Sequence, residues 1–155
     1  MKTLFIIRGW SGSGKTTKAK ELAAQVAARY FEADMFFDTG YRLANSVGES
    51  QYQFNPAFLP DAHTWCRMNV AKEMLHGANE IIVSNTFLQF WEMEKYFDLA
   101  AHRDYATHII ACKGNYQNVH GVPREKVQQM KAKMDSNKDI YVQACNLGYK
   151  GVTYE

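Results

Sequence analysis

The sequence predicts an α/β fold built around a parallel sheet, and three observations support this prediction. Short apolar runs alternate along the chain with segments whose apolar residues recur at helical spacing. The first run, residues 4–7, is continuously apolar, as expected for a strand that helices cover on both faces. A turn rich in glycine and serine joins that strand directly to the first helical segment. We therefore expect a central sheet with helices packed against it.

The first third of the chain divides into a strand, a helix, a second strand and a loop. A helix is predicted between residues 15 and 30, because apolar residues from Ala19 to Tyr30 recur on one face. A short extended segment near residues 31–34 is the second predicted strand. Residues 39–56 have the composition of a long loop, and long loops in compact domains usually bind or cover a ligand.

The rest of the chain continues the alternation of helices and strands. The predicted elements are a helix at 56–76, a strand at 81–84, a helix at 90–102 and a strand at 105–112. A further helix begins in GVPREKVQQMKAKM, with Pro123 at its first position, where a missing N–H costs nothing. The last fifteen residues give no clear pattern.

Length and composition indicate one domain spanning residues 1–155, because 155 residues with 46% hydrophobic content suffice for one core. The net charge of +2 is too small to indicate a dedicated nucleic-acid-binding protein. Three widely spaced cysteines lack metal-ligand spacing and are typical of free thiols in a reducing compartment. No segment resembles a secretory signal or a membrane span, so we expect a cytoplasmic protein.

The stretch RGWSGSGKTT contains a phosphate-binding motif. Residues 9–16 fit G-x-x-x-x-G-K-[ST] and lie between a predicted strand and a predicted helix, which is the context that this motif requires. Backbone N–H groups of such a loop surround an anion, a lysine contacts the outer phosphates, and a hydroxyl binds Mg²⁺. The motif therefore predicts binding of a nucleoside triphosphate, with Lys15 at the phosphates and Thr16 at the metal. The predicted nucleotide contacts are Ser11, Gly12, Ser13, Gly14, Lys15, Thr16 and Thr17.

The position of a second carboxylate favours a kinase over an ATPase. Hydrolases of this type usually hold Mg²⁺ with an aspartate after a second apolar strand, but IIVSNT has Ser84 and Asn85 there. The carboxylate best placed to bind Mg²⁺ or to accept a proton from an alcohol is Asp34, in FEADMFF. Glu32 and Asp38 are local rivals, and a role for Asp34 as a helix cap or solvated turn residue stays open.

Five segments together resemble a known family. RGWSGSGKTT, ADMFF, YQFNPAFLPDAH, IIVSNTFLQFWEMEKY and NVHGVPREKVQQM look, in this order, like the small P-loop kinases related to the kinase domain of polynucleotide kinases. The resemblance covers most of residues 3–135. It implies a P-loop NTPase fold of three α/β/α layers, with four or five parallel strands. It also implies Mg²⁺- and ATP-dependent phosphoryl transfer to a hydroxyl.

The resemblance also assigns roles within the catalytic site. Asp34 matches the family's general base, Lys15 and Thr16 match its phosphate and Mg²⁺ ligands, and residues 115–123 correspond to a lid over the nucleotide. Two positions depart from the family pattern. Ser84 stands where an aspartate is frequent, and Gln117 stands where relatives carry an arginine that contacts the phosphates.

The departure at Gln117 raises the question of which cation replaces the arginine. Arg124 and Lys113 are the candidates, and a solvated helix start is the alternative for Arg124. His120 either contacts phosphate or caps the lid. Lys126, Lys131 and Lys133 are predicted to form a solvated helix face, with guidance of nucleic acid as the alternative.

Acceptor recognition is assigned to the long loop and the helix after it. Tyr41, Tyr52 and Phe54 are aromatic and Arg42 is basic, a combination that suits stacking on a base and contact with a phosphate. Packing within the loop is the alternative for these aromatic side chains. His63 and Asn85 are the other predicted acceptor contacts.

Three functional hypotheses follow. The first is a kinase for a hydroxyl of nucleic acid or a nucleotide, with a 5′-hydroxyl end as the default acceptor. The second is a kinase for another alcohol, such as a hydroxymethylated DNA base or a small metabolite. The third is a nucleotide-binding module without transferase activity, which the residues at Ser84 and Gln117 keep open. The oligomeric state is left open.

Overall fold

A five-stranded parallel sheet forms the centre of the computed structural model, which describes residues 1–38, 52–116 and 121–155. The strands are β1 (Thr3–Arg8), β2 (Arg29–Phe31), β3 (Glu80–Ser84), β4 (Ala106–Ala111) and β5 (Val152–Tyr154). Their order across the sheet is β2-β3-β1-β4-β5, and all neighbours pair in parallel. The predicted α/β fold with a parallel sheet is confirmed.

Helices cover both faces of this sheet. The α-helices are α1 (Lys15–Val26), α2 (Leu59–Leu75), α3 (Phe90–His102), α4 (Arg124–Ser136) and α5 (Ile140–Asn146), and short 3₁₀ helices span Ala33–Phe37 and Pro56–Phe58. Because successive strand residues point to opposite faces, β1 contributes to two cores. Ile7 packs with Ala19 and Leu22 of α1, whereas Leu4 and Ile6 belong to the larger core beneath α2, α3 and α5.

Three boundaries differ from the predicted ones. Helix α1 ends at Val26 because Ala27 adopts a left-handed conformation, with φ of 53°, and the chain then turns into β2. Tyr30 therefore lies in a strand, and Asp34 lies in a 3₁₀ helix instead of the second strand. Pro123 is the N-cap of α4 and not its first helical residue, because its ψ of 143° is extended.

The C-terminal residues, whose pattern predicted no element, complete the sheet. Helix α5 buries Ile140 and Ala144, and β5 then pairs with β4. Within the described ranges, no helix has the length and apolar character needed to cross a membrane.

The three cysteines are free, as predicted. Cys66 is buried in the larger core, and burial raises the pKa of its thiol to about 11. Cys112 is half-buried and Cys145 is exposed. The buried thiol acts as a small apolar side chain within the core.

Arg8, the last residue of β1, is fully buried directly before the glycine-rich loop. Its Nε donates to the carbonyl oxygen of Phe87 at 2.9 Å, and its Nη2 donates to that of Leu88 at 3.1 Å. Its Nη1 lies at hydrogen-bonding distance from the carbonyl oxygen of Asn137 and from the hydroxyl of Tyr154. The guanidinium thus joins β1, the β3–α3 connection and the C-terminal part of the chain.

Replacing Arg8 with methionine is expected to destabilise the protein by about 3 kcal/mol, because two buried carbonyl oxygens lose their donors. Arg29→Met is the matched control, since the Arg29 side chain is 72% exposed and its ion pair with Glu73 contributes less than about 1 kcal/mol. Urea denaturation of both variants measures the difference. Equal stability of the two variants would contradict a structural role for the buried guanidinium.

Candidate functional site

The glycine-rich loop has the backbone geometry of a phosphate-binding loop. Gly14, at the N-cap of α1, has φ of 97°, a conformation that L side chains rarely adopt. Gly9 is required for a different reason, because a Cβ atom there would lie 2.6 Å from the carbonyl oxygen of Cys112. The loop therefore keeps its backbone in close contact with the segment that follows β4.

That segment, residues 112–116, supports the loop through backbone and side-chain contacts. The N–H groups of Gly114 and Tyr116 donate to the carbonyl oxygens of Ser13 and Gly12, at 3.0 and 2.8 Å. In return, the indole N–H of Trp10 donates to the carbonyl oxygen of Gly114 at 3.0 Å. The loop is thus fixed from both sides by the chain after β4.

Lys15 and Ser13 supply the polar groups that face the interior of the loop. Lys15 Nζ donates to the carbonyl oxygen of Trp10 at 3.0 Å, across the loop. Burial lowers the pKa of Lys15, whereas the charges of the nearby Glu32 and Asp34 carboxylates act in the opposite direction. Ser13 Oγ is buried and has no hydrogen-bond partner among the described residues. A loop with left-handed glycines, a lysine and a spare buried hydroxyl fits a polyphosphate group.

Glu32 contacts the predicted metal ligand, a contact that the sequence analysis did not anticipate. Thr16 Oγ1 donates to Glu32 Oε1 at 2.9 Å. Burial raises the pKa of the Glu32 carboxyl, while the Thr16 hydrogen bond and the Lys15 charge act to lower it. The buried hydroxyl of Ser84 lies beside the same carboxylate, but no hydrogen bond to it has acceptable geometry within the described part of the chain. The sequence analysis named Glu32 as a rival of Asp34 because the two are close in sequence, but no sequence signal predicted its contact with Thr16.

Asp34, the predicted base, lies in the 3₁₀ helix after β2 and is half-buried. The hydroxyl of Tyr52 donates to Asp34 Oδ1 at 2.8 Å. The Asp34 charge raises the pKa of both Lys15 and His63, although burial has the larger and opposite effect on each. The carboxylate is therefore near both the glycine-rich loop and the first turns of α2.

Asn85 holds this 3₁₀ helix in place. Its side chain is 8% exposed, Oδ1 accepts a hydrogen bond from the Ala33 N–H at 2.8 Å, and Nδ2 contacts Cys66 Sγ at 3.8 Å. Both polar ends of the amide are thus occupied by the protein itself. The acceptor contact predicted for Asn85 is therefore replaced by a positioning role for the segment that carries Asp34.

The remaining predicted acceptor residues are only partly described. His63 is exposed in the first turns of α2, and partial burial of its ring and the Arg67 charge lower its pKa against opposing effects of Glu92 and Asp34. Tyr52 and Phe54 pack edge-on against Phe37, as in the loop-packing alternative. Tyr41 and Arg42 lie outside the described residues.

A cleft of about 380 Å³ separates the glycine-rich loop from α4. Arg124 is exposed and lines this cleft together with Trp10 and Gly12. Lys126 and Lys133 are exposed, as predicted. Lys131 is half-buried, its Nζ donates to Asn115 Oδ1 at 2.6 Å, and it lies 5.2 Å from the centre of the Trp10 ring. Gln117 and His120, and with them part of the predicted lid, lie outside the described residues.

Comparison with known proteins identifies the family. A family described as an AAA domain matches residues 4–117, which include the glycine-rich loop, Asp34 and β1 to β4. The chain belongs to this family. Human NEDD4-binding protein 2 is 31% identical over 139 residues, which cover 82% of this chain and 7% of that protein. The chain thus corresponds to a small part of its human relative.

Two solved structures show the fold of this AAA-domain chain. A putative kinase from Chloroflexus aurantiacus has a TM-score of 0.56 at 20% identity, covering 72% of this chain and 59% of that chain. A gluconokinase from Sinorhizobium meliloti also has a TM-score of 0.56, at 12% identity, covering 98% of this chain and 81% of that chain. The resemblance to P-loop kinases is therefore confirmed at the level of the fold. The narrower likeness to polynucleotide kinases stays a prediction.

Proposed function

We propose that this chain is an ATP-dependent kinase that transfers the γ-phosphoryl group to a hydroxyl. The observation that carries this proposal is the contact between the start of α1 and the segment after β2, where Thr16 Oγ1 donates to Glu32 Oε1 at 2.9 Å. Asp34 follows two residues after Glu32, and its charge acts to raise the pKa of Lys15 in the glycine-rich loop. A cation at the transferring phosphates and a carboxylate near the entering alcohol are the two groups that such a reaction requires. A P-loop kinase fold supports ATP as the donor and Mg²⁺ as the metal.

The residues of the loop bind and orient the donor. Backbone N–H groups around Gly12 and Gly14, together with the first turn of α1, hydrogen-bond the phosphate oxygens. When ATP binds, Lys15 gives up its hydrogen bond to the Trp10 carbonyl oxygen and contacts the outer phosphates. Thr16 would provide a hydroxyl to Mg²⁺. When bound, Mg²⁺ offsets the negative charge of the phosphates. Arg124, exposed in the cleft beside the loop, is the candidate to supply a further positive charge there.

Asp34 accepts the proton of the attacking hydroxyl. The Tyr52 hydroxyl, which donates to Asp34 Oδ1, helps to fix the orientation of the carboxylate. Burial and the neighbouring carboxylate raise the pKa of Tyr52, so this phenol remains a donor at neutral pH. Asn85 accepts a hydrogen bond from the Ala33 N–H and so holds in place the segment that carries Asp34.

The acceptor class is proposed as a hydroxyl of nucleic acid or a nucleotide, with the 5′-hydroxyl end first. The support is the ordered series of motifs that resemble the polynucleotide kinase branch, together with His63, whose pKa responds to the charges of Arg67 and Asp34. An imidazole with a guanidinium near it suits an acceptor that carries its own phosphate.

An acceptor screen with γ-labelled ATP tests this proposal. We expect label on a 5′-hydroxyl oligonucleotide and none on the same oligonucleotide with a 5′-phosphate, because the reacting hydroxyl is then blocked. Label only on a hydroxymethylated DNA base or a small alcohol would favour the second kinase hypothesis. ATP binding without label on any acceptor would overturn the kinase and indicate a nucleotide-binding module.

A further inference from the structure

The strand next to the glycine-rich loop ends without the carboxylate that usually holds a metal in this fold. Strand β3 ends at Ser84, whose hydroxyl is buried and lacks a hydrogen-bond partner among the described residues. A serine hydroxyl is a much weaker ligand for Mg²⁺ than a carboxylate. A protein carboxylate for Mg²⁺ would therefore have to come from another element of the site.

The sheet topology brings a carboxylate from a different strand to this position. Strand β2 pairs with β3, with Phe31 opposite Val83, so the residue after β2 lies beside the end of β3. That residue is Glu32, whose backbone is extended, with φ of −129°. Its side chain reaches Thr16 Oγ1 at 2.9 Å and lies beside the spare hydroxyl of Ser84.

We propose that Glu32, and not Asp34, is the carboxylate that holds Mg²⁺ together with Thr16. This inference rests on the nucleotide binding included in the proposed function, and it deepens that proposal by separating two roles. Glu32 binds the cation directly or through a metal-bound water, and Asp34 is left to accept the proton. The hydroxyl of Ser84 is then available to hydrogen-bond Glu32 or a water of the cation.

The chemistry of Mg²⁺ agrees with so small a set of protein ligands. Within residues 1–38, 52–116 and 121–155, no group of three His, Cys, Asp or Glu side chains could hold a metal. Mg²⁺ usually keeps several waters and binds one or two protein groups plus the substrate phosphates. One carboxylate, one hydroxyl and the phosphate oxygens therefore make a sufficient site.

The alternative is a structural role, in which Glu32 only fixes the Thr16 side chain. The two roles differ in their effect on metal dependence. A structural contact would survive in Glu32→Gln, because the amide oxygen still accepts the Thr16 hydrogen bond, and the metal dependence would then stay that of the wild type. A metal ligand would influence only the part of the affinity that Mg²⁺ adds.

Titration of ATP into the full chain by calorimetry, with Mg²⁺ and with EDTA, tests the proposal. For Glu32→Gln we expect unchanged affinity in EDTA and about a tenfold or greater rise in the Mg²⁺ concentration needed for tight binding. Asp34→Asn is expected to keep the wild-type metal dependence. Glu21→Gln, an exposed carboxylate on α1, is the matched control.

The outcomes separate this inference from the proposed kinase. Wild-type metal dependence in Glu32→Gln, or loss of it in Asp34→Asn alone, would overturn the assignment even if the chain transfers phosphate. Loss of metal dependence in Glu32→Gln would uphold it even if the acceptor screen finds no product. Unchanged ATP affinity in EDTA would show that the Glu32→Gln variant is folded. An equal loss of ATP affinity in EDTA and in Mg²⁺ would overturn the proposal, because Glu32 would then support the loop and not the metal.

Discussion

Lys15→Ala is expected to weaken ATP binding by about tenfold or more and to reduce phosphoryl transfer by a further factor of about 10²–10³. The ammonium group of Lys15 lies across the loop, where it donates to the Trp10 carbonyl oxygen. Without it, the charge that spreads over the phosphate oxygens during transfer has no nearby cation from the loop. Calorimetry measures the loss of affinity, and labelled ATP measures the loss of transfer.

The control for this variant is Lys20→Ala, which removes an exposed lysine from the same helix. It should retain both ATP affinity and transfer. If Lys15→Ala kept the affinity of the wild type, the phosphates would lie elsewhere and the assignment of the loop would be wrong.

Asp34→Asn is expected to reduce transfer by a factor of about 10²–10⁴ while leaving ATP affinity nearly unchanged. The amide has the size of the carboxylate and can still accept the Tyr52 hydrogen bond, but it cannot take a proton from an alcohol at neutral pH. Single-turnover assays with saturating ATP isolate this step from nucleotide binding. A parallel fall in ATP affinity would indicate that Asp34 serves the nucleotide instead.

Asp38→Asn is the matched control, because Asp38 is the next carboxylate along the chain and follows the same 3₁₀ helix. We expect it to retain transfer. A loss of transfer in Asp38→Asn but not in Asp34→Asn would move the base to Asp38 and refute the present assignment.

The sequence predicted those parts of the fold and site that depend on local patterns. The apolar run of β1 and the spacing of G-x-x-x-x-G-K-[ST] were sufficient to locate the loop and Lys15, because both signals lie within one short segment. Helices α2 and α3 were predicted nearly to their ends for the same reason. Strand β5 was missed because three residues with one buried side chain carry no periodicity.

Features that depend on which strands are neighbours could not be predicted. Glu32 reaches Thr16 only because β2 lies beside β3, and the sequence does not specify that strand order. The role of Asn85 likewise depends on its approach to Ala33, 52 positions away. Lys131 was predicted to lie on a solvated helix face, and its contacts with Asn115 and Trp10 depend on how α4 packs near the loop.

The buried, hydrogen-bonded indole of Trp10 has a practical consequence for experiments in solution. Its ring is 7% exposed, it donates to Gly114, and the Lys131 ammonium lies 5.2 Å from its centre. Fluorescence emission from this tryptophan would therefore respond to any separation of α4 from the loop, since both polarity and charge around the ring would change. Replacing the tryptophans at 65 and 91 with phenylalanine would leave Trp10 as the sole tryptophan, so that its emission could be excited selectively in the intact chain.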